Sequence, residues 1–164
     1  MSEGPVKSRR AAREAAFQAA YQCLVGRSSI DRAIKEALER TTFAPDAQNL
    51  LRTLANGMVT ESVALEQKFS KYLKEGWTLE RIPVSDRLIL RLATYELFEM
   101  PDQPPKVTIA EAVKIAKKFG TADSGRFVNG VLAKVLLDSP KKDWQPPEPP
   151  SLQPSDPRPS TLDP

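Results

Sequence analysis

Three arginines open the first predicted helix and could bind an anion. Arg9, Arg10 and Arg13 stand in the run that begins at Ser8. A helix disfavours cations at its N-terminus, because its dipole places about half a positive charge there. Arginines three and four residues apart project from neighbouring strips of a helix surface. Their guanidinium groups could therefore bind a phosphate that also accepts hydrogen bonds from the unpaired backbone N–H groups of the first turn. The spacing therefore predicts a phosphate-binding helix end, although a solvated basic face would tolerate the same repulsion.

A second basic run lies near the end of the helical region. Lys118 ends one predicted helix, and Arg126 and Phe127 stand in the first turn of the next. A cation beside a flat ring suits an unpaired nucleobase better than a duplex, but Phe127 could equally be core and Arg126 solvated. Gly130 costs about 1 kcal/mol inside a helix relative to alanine. It predicts the close approach of another backbone, and Asn129 beside it is a further polar candidate.

The composition removes most catalytic chemistry. The 164 residues include no histidine and one cysteine, which excludes Ser-His-Asp and Cys-His nucleophiles and histidine metal sites. Cys23 cannot form an internal disulfide or a cysteine-rich zinc site, and its place on an apolar stripe predicts a core position. Neither of the two common glycine-rich phosphate loops occurs. We therefore expect no enzyme, no cofactor and no metal.

Charge and hydropathy indicate a cytoplasmic protein. Hydrophobic residues make up 40% of the chain, and no apolar run approaches the roughly 20 residues that span a bilayer. The N-terminus lacks the apolar stretch of a secretory signal. The net charge of +3 is modest, so any basic site must come from clustering of cations rather than from bulk charge.

Apolar residues recur at helical spacing throughout the body, which predicts an all-α fold of about seven helices. One helix is expected over about 30–40 with Ser29 as its N-cap. The next begins near Pro45, and its apolar stripe runs to about residue 74. Ser85 is the expected N-cap of a helix that is apolar on most sides.

The last two helices also have expected caps. Thr108 and Glu111 have the spacing of a capping box, and Asp123 or Ser124 is the expected N-cap of the final helix. Residues 140–164 hold nine of the 15 prolines, a composition that cannot bury enough apolar surface to fold. We therefore divide the chain into a helical domain, 1–139, and a disordered proline-rich tail, 140–164.

Five motifs occur in a characteristic order between about residues 8 and 138. They are Arg9-Arg10-Ala11-Ala12-Arg13-Glu14 with Gln18 to Tyr21, Leu90-Arg91-Leu92-Ala93-Thr94-Tyr95-Glu96-Leu97, Lys106-Val107-Thr108-Ile109-Ala110-Glu111-Ala112, Lys118-Phe119-Gly120, and Arg126-Phe127-Val128-Asn129-Gly130-Val131-Leu132. Taken together, these motifs resemble the NusB family. The last one, after a Lys-Phe-Gly turn, is the most specific.

The resemblance implies a fold of two small helical bundles packed across each other. It also implies a transcription antitermination factor that binds boxA, a short single-stranded RNA element in the leader of ribosomal RNA transcripts. The expected protein partner is NusE, a small-subunit ribosomal protein. The complex would join other Nus factors on RNA polymerase and support ribosomal RNA transcription.

The resemblance also implies roles for individual residues. The expected RNA-binding residues are Arg9, Arg10, Arg13, Lys118, Arg126, Phe127 and Asn129, with Asp123 in a turn that modulates binding. The expected NusE-binding residues are Tyr21, Gln22, Asp86 and Arg87. Some members of the family have a further arginine where this chain has Ala11, so the RNA affinity of the isolated protein is expected to be weak.

Two other functions fit parts of the pattern. The same fold occurs as the N-terminal RNA-binding domain of certain ribosomal RNA cytosine methyltransferases, so the chain could be a fragment of such an enzyme. It could also be a helical adaptor whose interfaces are entirely protein–protein, but such an adaptor would not need three arginines at one helix end.

Overall fold

The computed structural model describes residues 6–146, which contain seven helices and no strand apart from one isolated bridge between Lys7 and Phe43. The helices are α1 (Arg9–Gly26), α2 (Ile30–Arg40), α3 (Pro45–Thr60), α4 (Ser62–Ser70), α5 (Val84–Glu99), α6 (Pro105–Phe119) and α7 (Ser124–Asp138). The predicted all-α fold is confirmed. None of these helices is both long enough and apolar enough to cross a membrane.

The helices form two bundles, as predicted. Helices α1, α2 and α3 pack on one another, and α4, α5, α6 and α7 form the second group. Helix α5 joins the two, because it packs on α1 and α3 as well as on the helices of its own bundle. Leu88, Ile89, Leu90 and Leu92 are all fully buried, which explains why α5 is apolar on nearly every side. This central helix fixes how α1 sits relative to α6 and α7.

Some helix ends agree with the sequence and others do not. Helix α2 spans the predicted residues, and the Ser29 side chain accepts a hydrogen bond from the backbone N–H of Arg32 at 3.1 Å. The apolar stripe that begins at Pro45 is divided, because α3 ends at Thr60 and α4 begins at Ser62. The hydrophobic periodicity continues across that break, so the stripe alone could not reveal it.

Helices α5 and α6 begin earlier than predicted. Helix α5 begins at Val84, directly after Pro83, and α6 begins at Pro105. Ser85 is therefore not a cap, and Thr108 lies inside α6. The Thr108 hydroxyl donates to Glu96 at 3.0 Å, so the apparent capping box is wrong. Proline suits the first turn of a helix because its missing N–H would have no partner there.

Helix α7 begins without the predicted side-chain cap. Asp123 occupies the N-cap position, but its side chain makes no capping hydrogen bond. The Ser124 hydroxyl instead accepts from the backbone N–H of Thr121 at 2.8 Å. This bond closes the turn between α6 and α7 and fixes where α7 starts.

The folded structure continues beyond the predicted domain boundary at residue 139. Lys141 is 4% exposed, and its ammonium group donates to the backbone oxygens of Glu96 at 3.0 Å and Gln103 at 2.6 Å. The indole of Trp144 donates to the backbone oxygen of Pro101 at 3.2 Å. Residues 140–146 therefore belong to the fold and lie against the end of α5. The rest of the predicted tail, 147–164, lies outside the described residues.

Candidate nucleic-acid interface

The start of α1 is held against the loop between α2 and α3. The backbone N–H of Lys7 donates to Thr42 at 2.8 Å, and the N–H of Ala44 donates to Lys7 at 3.2 Å. These two bonds fix the chain just before Arg9. The arginine-bearing first turn of α1 therefore has a defined position on the surface of the first bundle.

Arg13 does not belong to that surface. It is 3% exposed, and its guanidinium donates to both carboxylate oxygens of Glu96 at 2.8 and 3.0 Å. Glu96 is itself fully buried and also accepts from Thr108. The anion that Arg13 binds is thus a carboxylate of α5. Its predicted place among the RNA-binding residues is corrected to a place in the core between the bundles.

Arg10 has both an internal partner and an exposed face. Its guanidinium donates to Glu111 at 3.0 and 3.1 Å, yet 63% of the side chain is exposed. Burial, the largest single influence, would raise the pKa of Glu111, but the hydrogen bonds from Arg10 together with the charges of Arg10, Lys114 and Arg13 outweigh it, and the pKa is lowered. Glu111 also lies 3.5 Å from the ammonium of Lys114. Glu111 uses two of the five N–H groups of the Arg10 guanidinium, and the remaining N–H groups can still bind an anion.

Arg9 lies at the rim of the same region. It is 3.7 Å from Asp46, and both side chains are substantially exposed. With its amide oxygen directed toward α1, Gln103 accepts from Arg9 at 2.5 Å and from Arg13 at 2.8 Å. Gln103 also accepts from Lys141 through its backbone oxygen. The loop between α5 and α6 therefore supports the first turn of α1 through the hydrogen bonds that Gln103 accepts from Arg9 and Arg13.

Lys118 lies beside α1. Its ammonium is 2.8 Å from Glu14, and the neighbouring Phe119 ring packs 5.2 Å from the Phe17 ring. Glu14 lies one turn after Arg10 in α1, and Lys118 lies about two turns after Glu111 in α6. We call the line formed by Arg10, Glu111, Lys114, Glu14 and Lys118 the α1–α6 seam.

The second predicted RNA-binding region faces a groove beside α7. Arg126, Asn129 and Asp123 are exposed, and Phe127 is half-buried. The Phe127 ring lies 6.3 Å from that of Trp77, which comes from the loop between α4 and α5. The groove between them has a volume of about 510 Å³. We call it the Trp77 groove.

Gly130 does not make the close backbone contact that its position in a helix predicts. A Cβ atom added to it would meet nothing within 4 Å. The residue is exposed and lines the Trp77 groove. The prediction of tight packing at Gly130 is therefore wrong for contacts with the rest of residues 6–146.

The residues predicted to bind a protein partner fall into two groups. Tyr21 is 40% exposed at the surface of α1, and Gln22 donates to Glu36 of α2 at 3.1 Å. Asp86, in contrast, is buried, and one of its carboxylate oxygens has no hydrogen-bond partner in the part of the chain that the structure describes. Burial raises the pKa of Asp86, and the nearby Ser124 hydroxyl opposes this only in part. Asp86 is therefore not a surface contact in this chain.

Arg87 is bound to a carboxylate of its own chain. It donates to both oxygens of Glu66 at 2.7 and 3.0 Å, and Arg91 donates to the same carboxylate at 2.7 Å. Two guanidinium groups thus share one largely buried acceptor between α4 and α5. The pairing gives Arg87 a structural role within the second bundle.

The Arg87–Glu66–Arg91 cluster predicts a dependence of stability on pH. Burial, the largest single influence, would raise the pKa of Glu66, but the hydrogen bonds and the positive charges of Arg87 and Arg91 together outweigh it, and the pKa is lowered. This stabilisation is complete above the unfolded pKa of about 4.3 and is lost as the pH falls through the folded pKa. We expect Glu66→Gln to lower the free energy of unfolding by about 2 kcal/mol at pH 7 and to lessen its loss below about pH 5.

Chemical denaturation of the two proteins across this pH range measures the effect. Glu39→Gln is the matched control, because Glu39 is an exposed glutamate of α2. If Glu66→Gln and wild type lost stability in parallel as the pH fell, the cluster would not be the source of the dependence.

Sequence reasoning missed the internal partners of the arginines and the aromatic side of the groove. Glu96 and Glu111 lie 83 and 101 residues from the arginines that they bind, so no local pattern connects them. Trp77 follows Gly76 in a short loop, where an aromatic residue is unusual enough to be a usable signal. Within residues 6–146, no three potential metal ligands come together.

Comparisons with known proteins agree with this fold. A model of the NusB family matches residues 10–137. The transcription antitermination protein NusB of Halalkalibacterium halodurans is 40% identical over 136 residues, covering 83% of this chain and 98% of that protein. The corresponding protein of Geobacillus kaustophilus is 46% identical over 127 residues, covering 77% and 94%.

Two solved structures are also similar. A structure of T. maritima NusB has a TM-score of 0.77 at 37% identity, covering 85% of this chain and 97% of that one. A structure of the antitermination factors NusB and NusE in complex with double-stranded RNA has a TM-score of 0.71 at 25% identity, covering 79% and 96%. The relatives are transcription antitermination factors, which confirms that the chain is not an enzyme. With a matching family model, relatives of similar length and the same helical fold, the chain belongs to the NusB family of transcription antitermination proteins.

Proposed function

We propose that this cytoplasmic protein binds the single-stranded boxA RNA of ribosomal RNA leader transcripts together with NusE. The complex then joins other Nus factors on RNA polymerase and supports ribosomal RNA transcription. The observation that carries the RNA part is the α1–α6 seam. Its three cations, Arg10, Lys114 and Lys118, exceed its two carboxylates, Glu111 and Glu14, by one charge.

The RNA-binding surface that we propose is smaller than the sequence predicts. Arg13 is withdrawn from it because it is buried. Arg9 and Arg10 remain at the exposed N-terminus of α1, where a phosphate would also meet unpaired backbone N–H groups. Lys118 continues the surface along the seam, and Arg126, Phe127 and Asn129 extend it to the start of α7. Asp123, exposed at that start, places one negative charge at the edge and would weaken phosphate binding there.

Two observations support a NusE surface separate from the RNA surface. A relative of this fold has been solved in complex with NusE and RNA. In this chain, Tyr21 exposes an aromatic ring several turns beyond the arginine end of α1, and Leu24 and Val25 beside it are also exposed. Exposed aromatic and aliphatic side chains are typical of protein interfaces. Tyr21 is therefore the better test of this surface, because Asp86 and Arg87 serve the fold.

The RNA proposal predicts a specific change in the dependence of binding on salt. Each phosphate contact with a single strand contributes a slope of about −0.7 to the logarithm of affinity against that of salt concentration. We expect Arg10→Gln to weaken boxA binding and to reduce the magnitude of the slope by about 0.7. The midpoint of thermal unfolding should fall only modestly, because Arg10 is largely exposed and Lys114 remains beside Glu111. Filter binding over a salt series measures both quantities.

The matched control is Arg32→Gln, which removes an exposed arginine of α2 that pairs with Glu36. A third variant, Tyr21→Ala, should lower the affinity for NusE and leave the affinity for RNA alone unchanged. If Arg10→Gln and Arg32→Gln had the same salt slope as wild type, the α1–α6 seam would not bind RNA.

The two alternative functions make different predictions. A protein–protein adaptor would show no salt-dependent binding of boxA RNA above that of a scrambled sequence. A methyltransferase fragment is disfavoured, because the relatives matched over nearly their whole length are antitermination proteins. The comparison of boxA with scrambled RNA, with and without NusE, therefore separates the adaptor from the antitermination factor.

A further inference from the structure

The Trp77 groove has features that the proposed surface along α1 and α6 does not explain. One wall is the loop between α4 and α5, where Gly76 adopts a left-handed conformation (φ +84°) and Trp77 follows it, 50% exposed. The other wall is α7, which contributes Phe127 and Gly130. The exposed face of the Trp77 ring is available to a flat ligand.

The rim of the groove is positively charged. Lys74, Arg126 and Lys134 line it with Asp123, which gives an excess of two positive charges. Among residues 6–146, none of the three cations forms an ion pair. The arginines at the start of α1 are different, because each of them meets a carboxylate of the chain. The groove therefore combines aromatic walls with uncompensated cations, the combination that binds single-stranded nucleic acid.

Gly130 provides an independent observation. Alanine at an exposed position inside a helix would be more stable than glycine, and the space beside Gly130 could hold the added methyl group. Packing within the described chain therefore does not require this glycine. The absence of a side chain at Gly130 leaves the groove open next to Phe127. An added Cβ atom would occupy part of the space available there to a flat ligand.

We propose that the Trp77 groove binds one unpaired nucleobase of the RNA, stacked on Trp77 and Phe127 above Gly130. Its volume of about 510 Å³ lies within the range of small-ligand pockets. Lys74, Arg126 and Lys134 contact the phosphates on either side of that base. This inference rests on the proposed RNA-binding function and adds to it a base-binding site with four residues that the RNA surface described above does not include: Lys74, Trp77, Gly130 and Lys134.

The decisive experiment uses Gly130→Ala in the full chain, because its two expected effects have opposite signs. The midpoint of thermal unfolding should rise, since alanine favours a helix. The affinity for single-stranded boxA RNA should fall, since the methyl group narrows the base site. Trp77→Ala should lower the same affinity about five-fold or more, the lower limit for one base–aromatic stack. Unchanged affinity in both variants would overturn the proposal.

A spectroscopic readout locates the base. The chain has two tryptophans, so Trp144→Phe leaves Trp77 as the sole indole fluorophore. RNA binding should then quench the Trp77 emission, and an RNA with an abasic nucleotide at the bound position should bind without quenching. Binding of every RNA without any change in emission would contradict the base site while leaving RNA binding by the protein intact.

Matched variants separate the groove from general electrostatics. Lys134→Gln should weaken RNA binding more than Lys35→Gln, which changes an exposed lysine on α2, a helix that packs on α1 and α3. Equal effects would count against the groove. If Trp77→Ala lowered the affinity for NusE but not for RNA alone, the occupant would be protein and the proposal would be wrong. If wild type bound no RNA, the proposed function itself would fail as well.

Discussion

Replacing Arg13 by methionine is expected to lower the free energy of unfolding by about 3–5 kcal/mol, the cost of breaking a buried ion pair from one side. Glu96 would be left in the core with Thr108 as its remaining side-chain donor. The change would reach both bundles, because Arg13 belongs to α1 and Glu96 to α5. Urea denaturation followed by circular dichroism measures this loss.

Arg9→Met is the control for this prediction. Arg9 is one turn earlier in α1, and its pairing with Asp46 is long and exposed, so its removal should cost less than about 1 kcal/mol. A second control, Arg13→Met with Glu96→Leu, should recover much of the loss, since both charges leave the core together. If Arg13→Met instead unfolded like wild type and lost RNA binding, Arg13 would be an RNA ligand as the sequence predicts.

Lys141→Met is expected to lower the free energy of unfolding by about 2–4 kcal/mol. The ammonium group donates charge-assisted hydrogen bonds to the backbone oxygens of Glu96 and Gln103, each worth about 1.5–3 kcal/mol. Burial lowers the pKa of Lys141, so part of this gain is offset by the cost of desolvating the charge. Thermal and urea denaturation of the full chain measure the net effect.

The adjacent Lys142 is exposed and provides a control of the same residue type. Lys142→Met should change stability by less than about 0.5 kcal/mol, as surface substitutions generally do. Ending the chain after residue 139 should cost at least as much as Lys141→Met, because it also removes Trp144 from the end of α5. Equal stability of Lys141→Met and Lys142→Met would show that the segment after α7 contributes nothing to the fold.

One connected group of polar side chains lies behind the arginine end of α1. The Glu96 side chain accepts hydrogen bonds from Arg13 and Thr108, and its backbone oxygen accepts one from Lys141. With its amide oxygen directed toward α1, the Gln103 side chain accepts hydrogen bonds from Arg9 and Arg13. Its backbone oxygen accepts one from Lys141. The segment that follows α7 therefore helps to position the exposed arginine at the start of α1.

Local features of this fold followed from the sequence because their causes are local. The period of apolar residues reports which face of a segment is buried, and it predicted the all-α class and the span of α2. Ser29 was identified as a cap because a serine side chain reaches the N–H three residues ahead without help from the rest of the fold. The motifs between Arg9 and Leu132 indicated the family for a similar reason, since the order of residues is itself the signal.

The tertiary structure decided which charged groups reach solvent. Arg9, Arg10 and Arg13 look equivalent in the sequence, yet Arg13 is buried against Glu96, 83 residues away, whereas Arg10 keeps an exposed face beside Glu111. That distinction depends on how the two bundles cross at α5, and helical periodicity carries no information about such a crossing. The same packing buries Asp86 and brings Trp77 beside Phe127 to form a groove. Trp77 and Phe127 lie far apart in the sequence, so only the folded chain places them side by side.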